Sequence, residues 1–226
     1  MATTLKTLPL IPSKAPNLPI GPVSYDQRYI DNLLNVLRLY FNQLDNNSAG
    51  LLSGDGGSYL KFPHIAASDT VDQYAGGNNT PTLVAWNTSE AINGFSLVSG
   101  AAIATYPGVY KITYSLQFAN TDNAQHSAVV WLKVNGTAVD RSSTEFSLQA
   151  RKSALIPTYV CAYSEVVFTV AAGDSIELYW ATDLAATSGG VVGIYMFADP
   201  AQVAPYVRPA IPSAIGSITF VSAVPT

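Results

Sequence analysis

The sequence predicts a mainly β protein, a β-sandwich preceded by an extended N-terminal arm and one amphipathic helix. Three observations carry this reading. Between Val109 and Phe118, Tyr110, Ile112, Tyr114, Leu116 and Phe118 alternate strictly with Lys111, Thr113, Ser115 and Gln117. Side chains on a strand alternate between faces, so this segment has an apolar and a polar side. Asn135-Gly136, between apolar residues 130–134 and 137–139, is a strong two-residue hairpin signal. Ala172-Gly173-Asp174 turns between residues 166–170 and 176–180. Many short antiparallel strands separated by turns read as a sandwich.

The elements follow in order. Residues 1–23 hold Pro9, Pro12, Pro16, Pro19 and Pro22 without periodicity, an extended arm because proline fixes φ and removes a donor. Leu8, Leu10, Ile11, Leu18 and Ile20 are more apolar than a solvated linker needs, so the arm is expected to anchor on another surface; a partly ordered tail is the plainer reading. A helix is expected from about Tyr25 to Leu44, with Ser24 and Gln27 as a capping box and Asp26 in the first turn. Ile30, Leu33, Leu37, Tyr40 and Leu44 are spaced three, four, three, four, a seam widened by Leu34 and Phe41. It covers about two heptads and fits a short inter-subunit bundle or packing on its own domain. Residues 45–57, with Gly54 and Asp55-Gly56-Gly57, read as a loop and hinge, and 58–82 as an irregular connector. Strands are expected at 82–86, 95–98, 102–105, 109–118, 128–134, 137–142, 157–162, 164–170, 175–181 and 191–197. Residues 199–226 carry Pro200, Pro205, Pro209, Pro212 and Pro225 and read as a C-terminal arm. Within it, residues 217–221 form a possible strand that closes its own sheet or adds to a neighbour's edge. The organisation is thus an arm at 1–23, helix and hinge at 24–57, connector and β domain at 58–198, and a C-terminal arm at 199–226.

Composition narrows function. Charged residues make up 12% of the chain and hydrophobic ones 48%, against a charged share of about 25% in ordinary globular proteins. Such a chain hides surface in permanent contacts with other chains, or makes its surface polar with Ser, Thr, Asn and Gln. The net charge is −4 and no Lys/Arg run exists, which argues against nucleic-acid binding. No stretch reaches the ~18 consecutive apolar residues of a membrane span. The first ten residues lack a signal-peptide core, so the protein is expected to assemble in a cytoplasm. Cys161 is the single cysteine. It lies in an apolar strand and reads as a small buried core residue.

The order of the β units resembles the jelly-roll family of complement globular heads and tumour-necrosis-factor-type trimers. The matching pieces are Asn87-Thr88, Asn93-Gly94-Phe95, Pro107-Gly108-Val109-Tyr110, Trp131-Leu132-Lys133-Val134-Asn135-Gly136, Ala172-Gly173-Asp174-Ser175 and Gly193-Ile194-Tyr195-Met196. They span residues 70–198. Asn79-Thr80-Pro81-Thr82-Leu83-Val84 with Ala85-Trp86-Asn87-Thr88 looks like versions of this domain in tailed bacteriophages. Leu18-Pro19-Ile20-Gly21-Pro22 with the helix is similar to openings of phage structural proteins. The resemblance implies a TNF-like jelly roll, a homotrimer around a three-fold axis, and an N-terminal region that attaches it to a virion. Family members bind receptors through outer loops, sometimes with calcium; no single Asp/Glu-rich loop here supplies a hard-cation ligand set, so calcium is not carried over.

Reactive residues are sparse. The histidines are His64 and His126, far apart in sequence, and no Gly-x-Ser-x-Gly elbow is present. Glu145, Glu165 and Glu177 lie in or beside different strands and read as surface charges rather than a glycosidase pair. The glycine-rich Gly54 to Gly57 lacks the Lys-Ser/Thr of a phosphate loop. No catalytic residue, metal site or cofactor is therefore expected. Trp131 with Lys133 faces away from Val130 and Leu132, and Tyr195 shares a face with Phe197. These faces fit a trimer interface, a two-sided core or sugar stacking. The expected protein is a non-enzymatic virion component: a capsid decoration or cement protein, or a short head or tail appendage. Its partners would be itself and a major capsid or tail protein. The alternative is a tail or fibre module binding a host receptor or surface glycan, with loops 120–127, 143–155 and 183–190 as its candidate site.

Overall fold

The computed structural model describes residues 14–52, 62–154 and 156–224. The chain divides into two units, Met1–Lys61 and Phe62–Thr226. In the first, Asp26 starts the helix α1 (Gln27–Leu52). Its Oδ1 accepts the Arg28 amide at 2.9 Å, and its carbonyl accepts the Ile30 amide at 3.3 Å. Asp26 is therefore the N-cap, not Ser24. The helix also runs on through Asp45, Asn46, Asn47 and Ser48, which the sequence reading placed in a loop. Such residues cost a helix only tenths of a kcal/mol each. The expected hinge at 53–57 lies outside the described residues.

Among the described residues the second unit is a sandwich of thirteen strands: β1 (His64–Asp69), β2 (Thr82–Leu83), β3 (Thr88–Asn93), β4 (Phe95–Val98), β5 (Ala101–Ala104), β6 (Gly108–Asn120), β7 (His126–Val134), β8 (Thr137–Ala138), β9 (Thr144–Leu148), β10 (Thr158–Val170), β11 (Ser175–Thr182), β12 (Ile194–Met196) and β13 (Ala214–Ser222). Sheet one has the order β10-β6-β13-β1-β3, with β12 also on β6. Sheet two has the order β4-β5-β11-β7-β8, with β2 on β11 and β9 on β7. All the pairings between these strands are antiparallel. This is the expected jelly-roll sandwich.

The alternation at Val109 sets its core. Tyr110, Ile112, Tyr114, Leu116 and Phe118 are all buried and meet Val130, Leu132, Ile176, Leu178 and Trp180 of sheet two. Phe118 lies 5.4 Å from Trp180 and Phe95 5.3 Å from Tyr110, ring centre to ring centre. The two turn signals meet at one end. Asn135 and Gly136 take φ of 51° and 75°, the left-handed pair that a tight hairpin needs. Asn135 Nδ2 donates to Asp174 Oδ1 at 2.7 Å, and its Oδ1 accepts the Ser175 amide at 2.9 Å.

Several elements differ from expectation. β1 sits inside the supposed irregular connector; its short side chains are buried on both faces at Ala67, Ser68 and Asp69, so no alternation marks it. β3 and β9 are also unforeseen, while 82–86 and 137–142 shrink to two-residue strands. The segments 157–162 and 164–170 are one strand, β10, because the polar Ser164 and Glu165 sit on an edge strand where such residues are tolerated.

The largest correction concerns the C-terminal arm. β13 is interior to sheet one, between β6 and β1, so the segment closes its own sheet. Moreover, β12 and β13 follow one lane along β6: Ile194 to Met196 face Asn120 to Phe118, and Ala214 faces Leu116. Between them the chain leaves the lane and returns. The Gln117 carbonyl accepts the Phe197 amide at 2.8 Å, and the Gln117 amide donates to the Ser213 carbonyl at 2.9 Å. The excursion is a ribbon, zipped by bridges Asp199–Ile211 and Gln202–Arg208 and by an Arg208–Asp199 ion pair.

Candidate interaction surfaces

The outer face of sheet one is built from the alternate residues of β10, β6 and β13. Cross-strand rows place Tyr163 beside Ser115 and Ile215, and Val167 beside Lys111 and Thr219. Lys111 and Glu165 are the only charged residues these three strands carry. They pair with each other at 3.4 Å. Tyr159 and Tyr163 stay 53% and 59% exposed, and Val167, Ile215 and Val221 are exposed with them. Cys161 is on this face too. It is exposed, not in the core, its Sγ 3.1 Å from Ser115 Oγ. The uninterrupted register of β10 turns Ala162 inward and Cys161 outward.

One end of this face carries an aromatic cluster. Tyr195 stacks on Tyr74 at 5.3 Å with the rings 10° from parallel, and Phe197 meets Tyr159 at 4.4 Å. Burial, and then the charge of Asp72, push the Tyr195 hydroxyl up to about 12. Tyr195 and Phe197 thus share a face, as read from the sequence. Trp131 does not join them. It lies on the outer face of sheet two, stacked on Tyr179 at 6.1 Å, with Lys133 Nζ 3.9 Å from the centre of the Tyr179 ring. Alternation tells which face of a strand a residue takes, but not which sheet the strand joins.

Along α1, Leu33, Leu37, Tyr40 and Leu44 are half-buried, while Ile30, Leu34, Leu39 and Phe41 are exposed. Leu18 and Ile20 of the arm are exposed as well. Leu8, Leu10 and Ile11, expected to anchor the arm, lie outside the described residues.

At the same end of β6 the fold gathers three loops, those following β6, β9 and β11. Asn120, fully buried, holds the first two together. Its Nδ2 faces the carbonyls of Ala124 at 2.9 Å, Gln149 at 2.9 Å and Leu148 at 3.3 Å, and its Oδ1 accepts the Asp122 amide at 2.9 Å. Arg151 donates from its amide to the Asp122 carbonyl at 2.8 Å and from its guanidinium to the Thr121 carbonyl at 3.0 Å. His126 sits between two carboxylates, Nε2 3.0 Å from Asp122 Oδ2 and Nδ1 2.9 Å from Asp183 Oδ2. Burial alone would lower the His126 pKa, but the hydrogen bonds and charges of both aspartates outweigh it and hold it above the ordinary value. The His126 hydrogen bond in turn holds Asp122 low; Asp183, despite burial, is also lowered by its hydrogen bond to His126. The three loops are the ones singled out as a candidate recognition site, and nothing in the sequence spacing of Asp122, His126 and Asp183 announced the clamp.

This arrangement is structural rather than reactive. Both imidazole nitrogens face carboxylates, so neither is left to take a proton from a hydroxyl or to bind a metal. Among the described residues no group of three or more His, Cys, Asp or Glu is placed to hold a metal ion. Glu165 lies on sheet one, while Glu145 and Glu177 belong to sheet two, opposite Val129 and Lys133; no cleft pairs Glu165 with either.

No family model matches this chain, and no curated protein matches it. Among solved structures it is similar to the globular domain of zebrafish complement 1qA protein, at 15% identity, over 73% of this chain and 100% of that chain, with a TM-score of 0.41.

Proposed function

We propose that this chain is a non-enzymatic structural protein that assembles as a homotrimer through the outer face of sheet one. The N-terminal region would attach the trimer to a bacteriophage virion, as a capsid decoration or cement protein or a short head or tail appendage. The observation that carries the self-assembly is the near absence of charge from β10, β6 and β13, combined with exposed Tyr159, Tyr163 and Ile215. Depletion of charge with retention of aromatics is the composition of an interface core. The exposed seam residues of α1 add a second apolar surface per chain, and three chains multiply the effect. The virion assignment rests on the sequence resemblance of residues 18–22 and 79–88 to phage structural proteins. Immunogold labelling of purified phage particles tests it: label on the particle surface supports the assignment, and label confined to the soluble fraction of the lysate contradicts it.

The gathered loops support a second reading, a module recognising a host surface glycan or receptor. The clamp at His126 fixes loop positions without using the exposed polar side chains of Asn123 and Gln149. Specific glycan-array binding, abolished by changing those two residues, would favour it.

A further inference from the structure

The ribbon of residues 198–212 exposes a large apolar tip. Val203, Tyr206 and Val207 are 83%, 64% and 81% exposed, around Ala204-Pro205. Leaving such groups in water forgoes the burial that stabilises the large apolar side chains of the core. The base is held on both sides: Gln117 bonds Phe197 and Ser213, while Asp69 O accepts the Ser213 amide at 2.8 Å and Asp72 Oδ1 accepts the Ala198 amide at 2.7 Å. With neighbours flanking the lane and the core beneath it, the ribbon leaves through the outer face of sheet one.

We propose that this ribbon is a clasp whose tip seats on the outer face of sheet one in a neighbouring copy of the same chain. The inference rests on the self-assembly reading above. The tip and the stripe at Tyr159 and Tyr163 are surfaces of one chemistry, and both are uncovered. Had the ribbon folded onto its own sheet, each would have buried the other. Reach allows a neighbour: a limb from Phe197 to Pro205 spans up to about 26 Å at ~3.3 Å per residue, beyond the roughly 10 Å that separates β13 from β10 across β6. Charge matches as well. The ribbon's Asp199 and Arg208 cancel each other, as do Lys111 and Glu165 on the stripe, so a neutral tip meets a neutral face. With no unpaired cation, the tip has nothing to draw it to an anionic lipid surface. A tip-to-stripe contact is heterologous, and such contacts close into a ring when the rotation permits.

The single native cysteine provides the test. Cys161 lies in the stripe, so Val203→Cys and Val207→Cys each place a second thiol on the tip. Under mild oxidation, disulfide-linked dimers and trimers on a non-reducing gel are expected from at least one variant. They should vanish when Cys161→Ala is added and be absent from the unsubstituted chain. In parallel, Val207→Asp should weaken self-association by roughly tenfold or more, with the melting of the dissociated chain unchanged. Intrachain disulfides alone would show a ribbon that folds back on its own sheet and overturn the clasp. Trimers of normal affinity with no tip cross-link would overturn it while leaving self-assembly intact, the tip then belonging to a different partner. A chain that stays monomeric at every concentration would instead remove the self-assembly reading on which the clasp rests.

Discussion

Asp183 grips His126 and the backbone beside it at once: its Oδ2 lies 2.9 Å from Nδ1, and its Oδ1 accepts the Ser127 amide at 3.0 Å. With Asp122 on the other nitrogen, both carboxylates favour the protonated imidazole. Its pKa is raised above 6.5 in the folded chain, so its contribution is fully present below that value and lost as pH rises through the folded pKa. The two aspartates are lowered from 3.8, so theirs is present above that value and lost as pH falls through their folded pKa. Stability against urea should therefore peak between about pH 4 and pH 6.5. His126→Gln should flatten the decline on the alkaline side; an unchanged profile would mean that the clamp carries no charge.

Trp86 covers Gly216 of β13. A Cβ at position 216 would lie 2.7 Å from the indole Cη2, closer than packed atoms approach. The stiff indole must move, so Gly216→Ala should destabilise by about 1–3 kcal/mol, the cost of overpacking a core. The midpoint of urea unfolding measures it, and Gly136→Ala is no substitute control, because Gly136 has positive φ.

Asn120 serves three carbonyls from a fully buried position. Asn120→Leu keeps the volume but strands those acceptors. A loss of about 2–3 kcal/mol is expected, with faster proteolysis at 121–125 and 149–157 before the sandwich itself unfolds.

Cys161 gives a direct readout of assembly. Its thiol is exposed on a single chain but faces the proposed interface. A thiol reagent should modify it quickly at dilutions where the chain is dissociated and slowly in the assembled protein. Equal rates under both conditions would place the interface elsewhere.

Much of the fold was legible where one face of a strand is wet. β6, β7 and β11 show clean alternation because their outer residues are polar or amphipathic while the inner ones are buried. β1 escaped notice because it is covered on both sides, and β10 was split at Tyr163, where the apolar run gives way to the polar Ser164 and Glu165 of an exposed edge. The interior position of β13 was illegible because it depends on pairing with β6 and β1, about 100 and about 150 residues away, and prolines mask the ribbon that precedes it. The surfaces were half-legible. The shared face of Tyr195 and Phe197 follows from spacing, whereas the separation of Trp131 from them, and the meeting of Asp122, His126 and Asp183, follow from which strands become neighbours.

The outer face of sheet one is the proposed contact between copies. Sedimentation equilibrium of the full chain, beside a Tyr163→Lys, Ile215→Lys variant, tests this most directly. The expected result is a mass of three chains for the native protein and of one chain for the variant, with unchanged circular dichroism. A native monomer, or a trimer indifferent to both lysines, would contradict it.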